Sequence, residues 1–134
     1  MLTAGPQLKT GRQAFSCSRI RDSKSGPYNI IVAGGLTILQ RALLNSTEIL
    51  NLTTQTWQFG PNLPLGLYKT QMVEHYKGGV VLIGGANVHN DPQDTLYHLP
   101  SENGEWYRMQ KKMSQKRANP VAFLAPASFT NCVG

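Results

Sequence analysis

Tyr28-Asn29-Ile30-Ile31-Val32-Ala33-Gly34-Gly35 and, 50 residues later, Gly78-Gly79-Val80-Val81-Leu82-Ile83-Gly84-Gly85 decide the fold of this 134-residue chain. Each stretch is a short apolar run that ends in a glycine pair. Uninterrupted apolar residues over so few positions predict a strand buried on both faces. A helix does not fit runs this short that stop at two glycines. Glycine lets a strand end turn where a side chain would collide with neighbouring backbone.

Working outward, each glycine pair is followed by a polar loop, Leu36–Asn45 or Ala86–Asp94. A second apolar segment comes next, Thr47–Leu52 or Thr95–Leu99. A polar turn then leads to Trp57 or Trp106, 49 residues apart. Gly60-Pro61-Asn62-Leu63 follows the first Trp, and Gly5-Pro6-Gln7-Leu8 is the same motif near the start. In that earlier copy Leu2 holds the Trp position, 55 residues before Trp57. Met113 lies 50 residues after Leu63. Arg12, Leu67 and Arg117 occupy one repeat position, each four residues beyond Leu8, Leu63 and Met113. From Leu8 to Gly34 is 26 residues, but from Leu63 to Gly84 only 21. The five-residue excess is assigned to the polar stretch Arg21–Ser25, because a surface turn tolerates insertion.

Such internal repetition organises the whole chain. Residues 1–8 read as the end of a preceding unit, 9–63 as a first unit, 64–113 as a second, and 114–134 as the start of a third with a tail. The expected strands are about Arg12–Ile20, Tyr28–Ala33, Thr47–Leu52 and Thr56–Phe59, then Lys69–Tyr76, Val80–Ile83, Thr95–Leu99 and Glu105–Met109. Lys77-Gly78-Gly79 is expected to close a tight hairpin. Val121–Leu124 is expected to be one more strand, before Ser128–Cys132 breaks the pattern.

A period near 50 with four strands, a glycine pair and a late Trp resembles the kelch repeat. The carrying residues are Gly34, Gly35, Glu48 and Trp57, then Gly84, Gly85 and Trp106. The second unit departs from the pattern with Leu96 in place of Glu48, and the first has Leu50 where an aromatic is common. The resemblance implies an all-β chain, built from antiparallel four-stranded blades of a β-propeller with an incomplete ring. Propellers have about 4–8 blades. In a closed kelch ring one blade is commonly completed from both chain ends; here Met1–Leu8 would supply an outer strand and Arg117–Leu124 an inner one. Two full blades leave strand edges and apolar surface open. The expectation is therefore a fragment of a longer propeller, or a protomer that self-associates through its incomplete blades.

Net charge is +6, from 13 Lys and Arg against 7 Asp and Glu. Only 15% of residues are charged, so the basic residues read as solvated turns rather than a nucleic-acid surface. No apolar run approaches the roughly 18 residues of a membrane span. Met1–Arg12 has no apolar signal core, which favours the cytoplasm. The sequons Asn45-Ser46-Thr47 and Asn51-Leu52-Thr53 lean towards a secreted parent, so the compartment stays open. Cys17 and Cys132 are too few for a disulfide framework. Cys17 is expected to be a buried strand residue.

No catalytic residue, metal or cofactor is expected. His75, His89 and His98 lie on separate segments without metal-ligand spacing, and His98 reads as an exposed strand position. There is no Gly-x-Ser-x-Gly and no phosphate loop. Copper-radical oxidases use a kelch-like propeller with a Tyr–Cys cross-link, a second Tyr and two His; Cys17, Tyr28 and the histidines do not match that set. The kelch resemblance implies a protein-binding or scaffold module. Its binding face would comprise the loops from second to third strand and the links Lys9–Gly11, Pro64–Tyr68 and Ser114–Lys116. Gln40, Arg41, Asn87, His89, Asn90 and Asp91 are the candidate partner-binding residues. Arg12 and Arg117 border them, where guanidinium groups suit an acidic peptide. The alternatives are a divergent copper-oxidase-like enzyme and a gene fragment without independent function.

Overall fold

The computed structural model describes residues 4–124. Leu2, Ser128–Cys132 and the state of Cys132 lie outside the described residues. All regular structure among those described is strand, in ten elements: β1 Arg12–Gln13, β2 Ser16–Ile20, β3 Asn29–Ala33, β4 Leu36–Thr37, β5 Thr47–Asn51, β6 Thr56–Phe59, β7 Gln71–Glu74, β8 Val80–Ile83, β9 Leu96–Leu99 and β10 Tyr107–Arg108. They form two antiparallel four-stranded sheets, β2-β3-β5-β6 and β7-β8-β9-β10, each in simple sequence order. A two-stranded ladder, β1-β4, adjoins the first. Neither large sheet closes on itself.

The apolar runs that precede the two glycine pairs are β3 and β8, second in each sheet, and both are almost wholly buried. In register, Val32 lies between Cys17 and Glu48, and Leu82 between Met72 and Tyr97. The Lys77-Gly78-Gly79 turn does join β7 to β8, closed by the Gly78 N–H donating to the His75 carbonyl at 2.9 Å. The core fills the seam between the sheets. Ile20, Ile31 and Ala33 come from the first sheet; Met72, Val80, Leu82, Tyr97, Leu99 and Trp106 come from the second, with Leu63 and Leu67 from the link. Burying this apolar surface is the main force holding one sheet to the other.

Backbone geometry repeats with the sequence. Ala14, Lys69 and Asn119 adopt left-handed φ values of 54°, 56° and 54°. They are 55 and 50 residues apart, and they bond in series. The Lys69 N–H donates to the Ala14 carbonyl and the Asn119 N–H to the Lys69 carbonyl, each at 2.8 Å. Left-handed backbone is costly for Ala14 and Lys69 and better tolerated by Asn119, so its recurrence at all three marks a position the interlock imposes. The glycine pairs take part in the same interlock. Gly35 N–H donates to the Leu67 carbonyl at 2.8 Å, and Gly85 N–H to the Arg117 carbonyl at 2.9 Å. Gly34 and Gly84, at φ 66° and 60°, lie so close to those carbonyls that a Cβ would collide with them.

The two tryptophans repeat a contact as well. The Trp57 indole N–H donates to the Pro6 carbonyl, and the Trp106 indole to the Pro61 carbonyl, both at 3.0 Å. Each late Trp thus ties the last strand of its sheet to the Gly-Pro link that enters that unit.

Four expectations are corrected. The long first strand Arg12–Ile20 is broken at left-handed Ala14 into β1 and β2. Cys17 is exposed, because its side chain lies on the free face of β2, while Ser16 and Ile20 are buried. His98 is buried, under the turn that follows β7. Val121–Leu124 is not a strand: Val121 and Phe123 are 92% and 81% exposed, and no described strand pairs with them. A single strand cannot satisfy its own backbone groups.

Candidate functional site

A meander of four strands puts its odd and even connections at opposite ends. At one end lie the β3–β5 and β8–β9 loops with the links that enter each unit. At the other lie the β2–β3 and β7–β8 turns.

At the loop end, two polar loops are braced in the same way. Gln13 pairs with Leu36, and Tyr68 with Ala86, so each loop is anchored by the lead strand of its own unit. The first is a tight hairpin over 37–42, in which the Thr37 amide donates to the Ala42 carbonyl and the Ala42 amide to Thr37 Oγ1, both at 2.9 Å. The second is folded around Asn87, whose Oδ1 accepts from the amides of His89 and Asp91 at 2.9 and 3.1 Å. Arg41 and Asn90 hold the same left-handed position in the two tips, at φ 49° and 59°. The Tyr68 hydroxyl donates to Asn90 Oδ1 and joins the link to the second loop.

Gln40, Arg41, His89, Asn90 and Asp91 are exposed at this end, while Asn87 is partly buried by its role in the turn. Arg117 is exposed on the third link, where its main chain bridges Gln93 and its guanidinium donates to Gln115 at 3.3 Å.

Arg12 does not face solvent. Its guanidinium and the Glu48 carboxylate form a 2.7 Å ion pair, with both side chains 0% exposed. Nη1 donates further to the Gly34 and Ser46 carbonyls at 2.9 and 3.0 Å. Glu48 accepts the backbone amides of Lys9 and Thr10 at 2.6 and 3.1 Å. This network pins the entering link to the third strand of the first sheet. Buried charge survives only with such partners, so Arg12 belongs to the scaffold beneath the loop surface.

Sequence reasoning passed over the residues that most alter this surface. Ile38 and Leu39 occupy the tip of the first hairpin and are 60% and 95% exposed. With Lys9, Thr10 and Gly11 of the link they line an apolar groove of about 430 Å³. Their signal is an aliphatic pair inside an otherwise polar loop, which does not announce itself without knowing where the hairpin turns.

At the turn end, the His75 and His98 rings lie 4.3 Å apart between centroids, with their planes tilted by 38°. His98 Nε2 donates to the Gly78 carbonyl at 3.0 Å, so its Nδ1 is free to accept from the Tyr107 hydroxyl. Burial, followed by the charges of His98 and Lys77, lowers the His75 pKa. Among the described residues, no group of three or more His, Cys, Asp or Glu could hold a metal ion. No helix among them is long and apolar enough to cross a membrane. Comparison with family models and with curated proteins finds no match.

Proposed function

We propose that the chain is part of a kelch-type propeller and serves as a protein-binding module, with its partner seated on the loop end. The observation that carries this reading is the Ile38-Leu39 tip. Two aliphatic side chains stand in solvent on a hairpin closed by its own hydrogen bonds, beside an apolar groove. Rigid apolar anchors ringed by polar groups are what protein interfaces use to concentrate binding energy. Here Gln40 and Arg41 follow the pair on the same hairpin, and His89, Asn90 and Asp91 are exposed on the second loop at the same end. Arg41 and Arg117 favour a partner with acidic groups around an apolar anchor. The sequence-level likeness to kelch repeats supports the same choice, because such modules bind through these connections.

A peptide-display selection on the immobilised chain tests the reading. Selected peptides should lose at least about tenfold in affinity with Leu39→Asp, as expected for an anchor residue. Binders that tolerate Ile38→Asp and Leu39→Asp alike would place recognition elsewhere.

A further inference from the structure

We infer that the turn end carries a second, separate site, which takes a phosphorylated side chain of a peptide. The five-residue excess of the first unit builds it. That stretch forms one wall of a cleft of about 440 Å³ that spans the seam between the sheets. Arg21, Asp22 and Lys24 line this wall; Tyr76, Lys77 and Pro100 line the other side. The wall is preformed. Gly26 N–H donates to the Ser23 carbonyl at 3.2 Å, and the Glu102 amide to the Arg21 carbonyl at 3.4 Å. Asn29 Nδ2 donates to Glu102 Oε2 at 2.9 Å, which ties the first sheet to the turn that holds the Arg21 carbonyl.

Charge selects the ligand. Arg19 is matched by Glu74 just outside the cleft. Arg21, Lys24 and Lys77 form no ion pair among the described residues. Within the lining, three cations stand against the single carboxylate of Asp22, an excess of two, while the Glu102 carboxylate lies outside the lining and accepts from Asn29. A phosphomonoester carries about −1.5 to −2 at neutral pH and three acceptor oxygens, which complements that excess within one compact group. A nucleic acid would need successive stacking platforms, and Tyr76 is the one aromatic ring in the lining.

The test is fluorescence anisotropy on the full chain with a short labelled peptide bearing one phosphoserine, beside its serine and glutamate versions. The phosphoserine peptide should bind tightest. Combining Lys24→Ala with Lys77→Ala should weaken it about tenfold, whereas Lys111→Ala with Lys116→Ala, an equal loss of charge away from the cleft, should change it less than about twofold. Equal losses in the two double variants would reduce the effect to diffuse attraction and overturn the site. So would equal binding of the serine peptide, displacement by an equal concentration of inorganic phosphate, or tighter binding of a single-stranded oligonucleotide. Leu39→Asp should leave this binding unchanged, which separates the site from the loop-end reading.

Discussion

Arg12 and Glu48, 36 residues apart, form a fully buried ion pair in the first unit, and the second unit has uncharged residues at the equivalent positions: Leu67, and Tyr97, which strand register matches to Glu48 in place of the expected Leu96. The exchange is coupled: both charges are present or both are absent. Removing one charge would leave the other desolvated and unpaired, whereas two uncharged side chains at these positions bury no ion. Leu67 is accordingly buried in the seam between the sheets.

Glu48→Ala should destabilise the chain by about 3–5 kcal/mol, because it strands the Arg12 guanidinium and the Lys9 and Thr10 amides. Arg12→Leu combined with Glu48→Leu should recover much of that loss. Urea unfolding followed by circular dichroism gives both values, and a double variant no better than Glu48→Ala would show that the pair is not exchangeable.

Trp106 is 7% exposed, whereas Trp57 is only half-buried, although both indoles make the same bond to a proline carbonyl. Trp106→Ala should cost about 3–5 kcal/mol through the cavity it leaves. Trp57→Ala should cost less than half as much. Comparable unfolding midpoints for the two variants would contradict the placement of the core in the seam.

Gly84→Ala forces a methyl to 2.6 Å from the Arg117 carbonyl at a backbone φ of 60°. The left-handed penalty alone is about 1–2 kcal/mol. Gly5→Ala, with open space around its Cβ, should be close to neutral in the same melting experiment. A Gly84→Ala protein that melts with the wild type would rule out the glycine interlock.

Acid should weaken the fold through His75. Its folded pKa lies below the ordinary 6.5, chiefly through burial. The unfolded chain therefore binds the proton more readily than the folded one. The resulting stability is complete above about pH 6.5 and is lost as pH falls through the folded value. His75→Asn removes this titration and can keep an acceptor for the Lys77 amide, which His75 Nδ1 accepts at 3.2 Å. Its stability should change less between pH 7 and pH 5 than that of the wild type (roughly the titration range of a histidine); equal slopes would assign the acid sensitivity elsewhere.

The repeat itself was legible in the residues. Period, glycine pairs and apolar runs are local properties, and a buried strand writes them directly into neighbouring positions. β3, β8 and the Gly78-Gly79 turn were placed on that basis, as were the two loops that carry Gln40, Arg41, Asn87, His89, Asn90 and Asp91. What only the tertiary structure decided is which side chains face water. Arg12 looked like a surface cation until Glu48 came to lie beside it across 36 residues. Cys17 and His98 exchanged their expected exposure, because the neighbouring sheet and the turn after β7 cover one face and not the other. Val121–Leu124 has the composition of a strand and no described partner to make it one. Composition sets what a segment prefers to bury; the neighbours brought by the fold set what it actually buries.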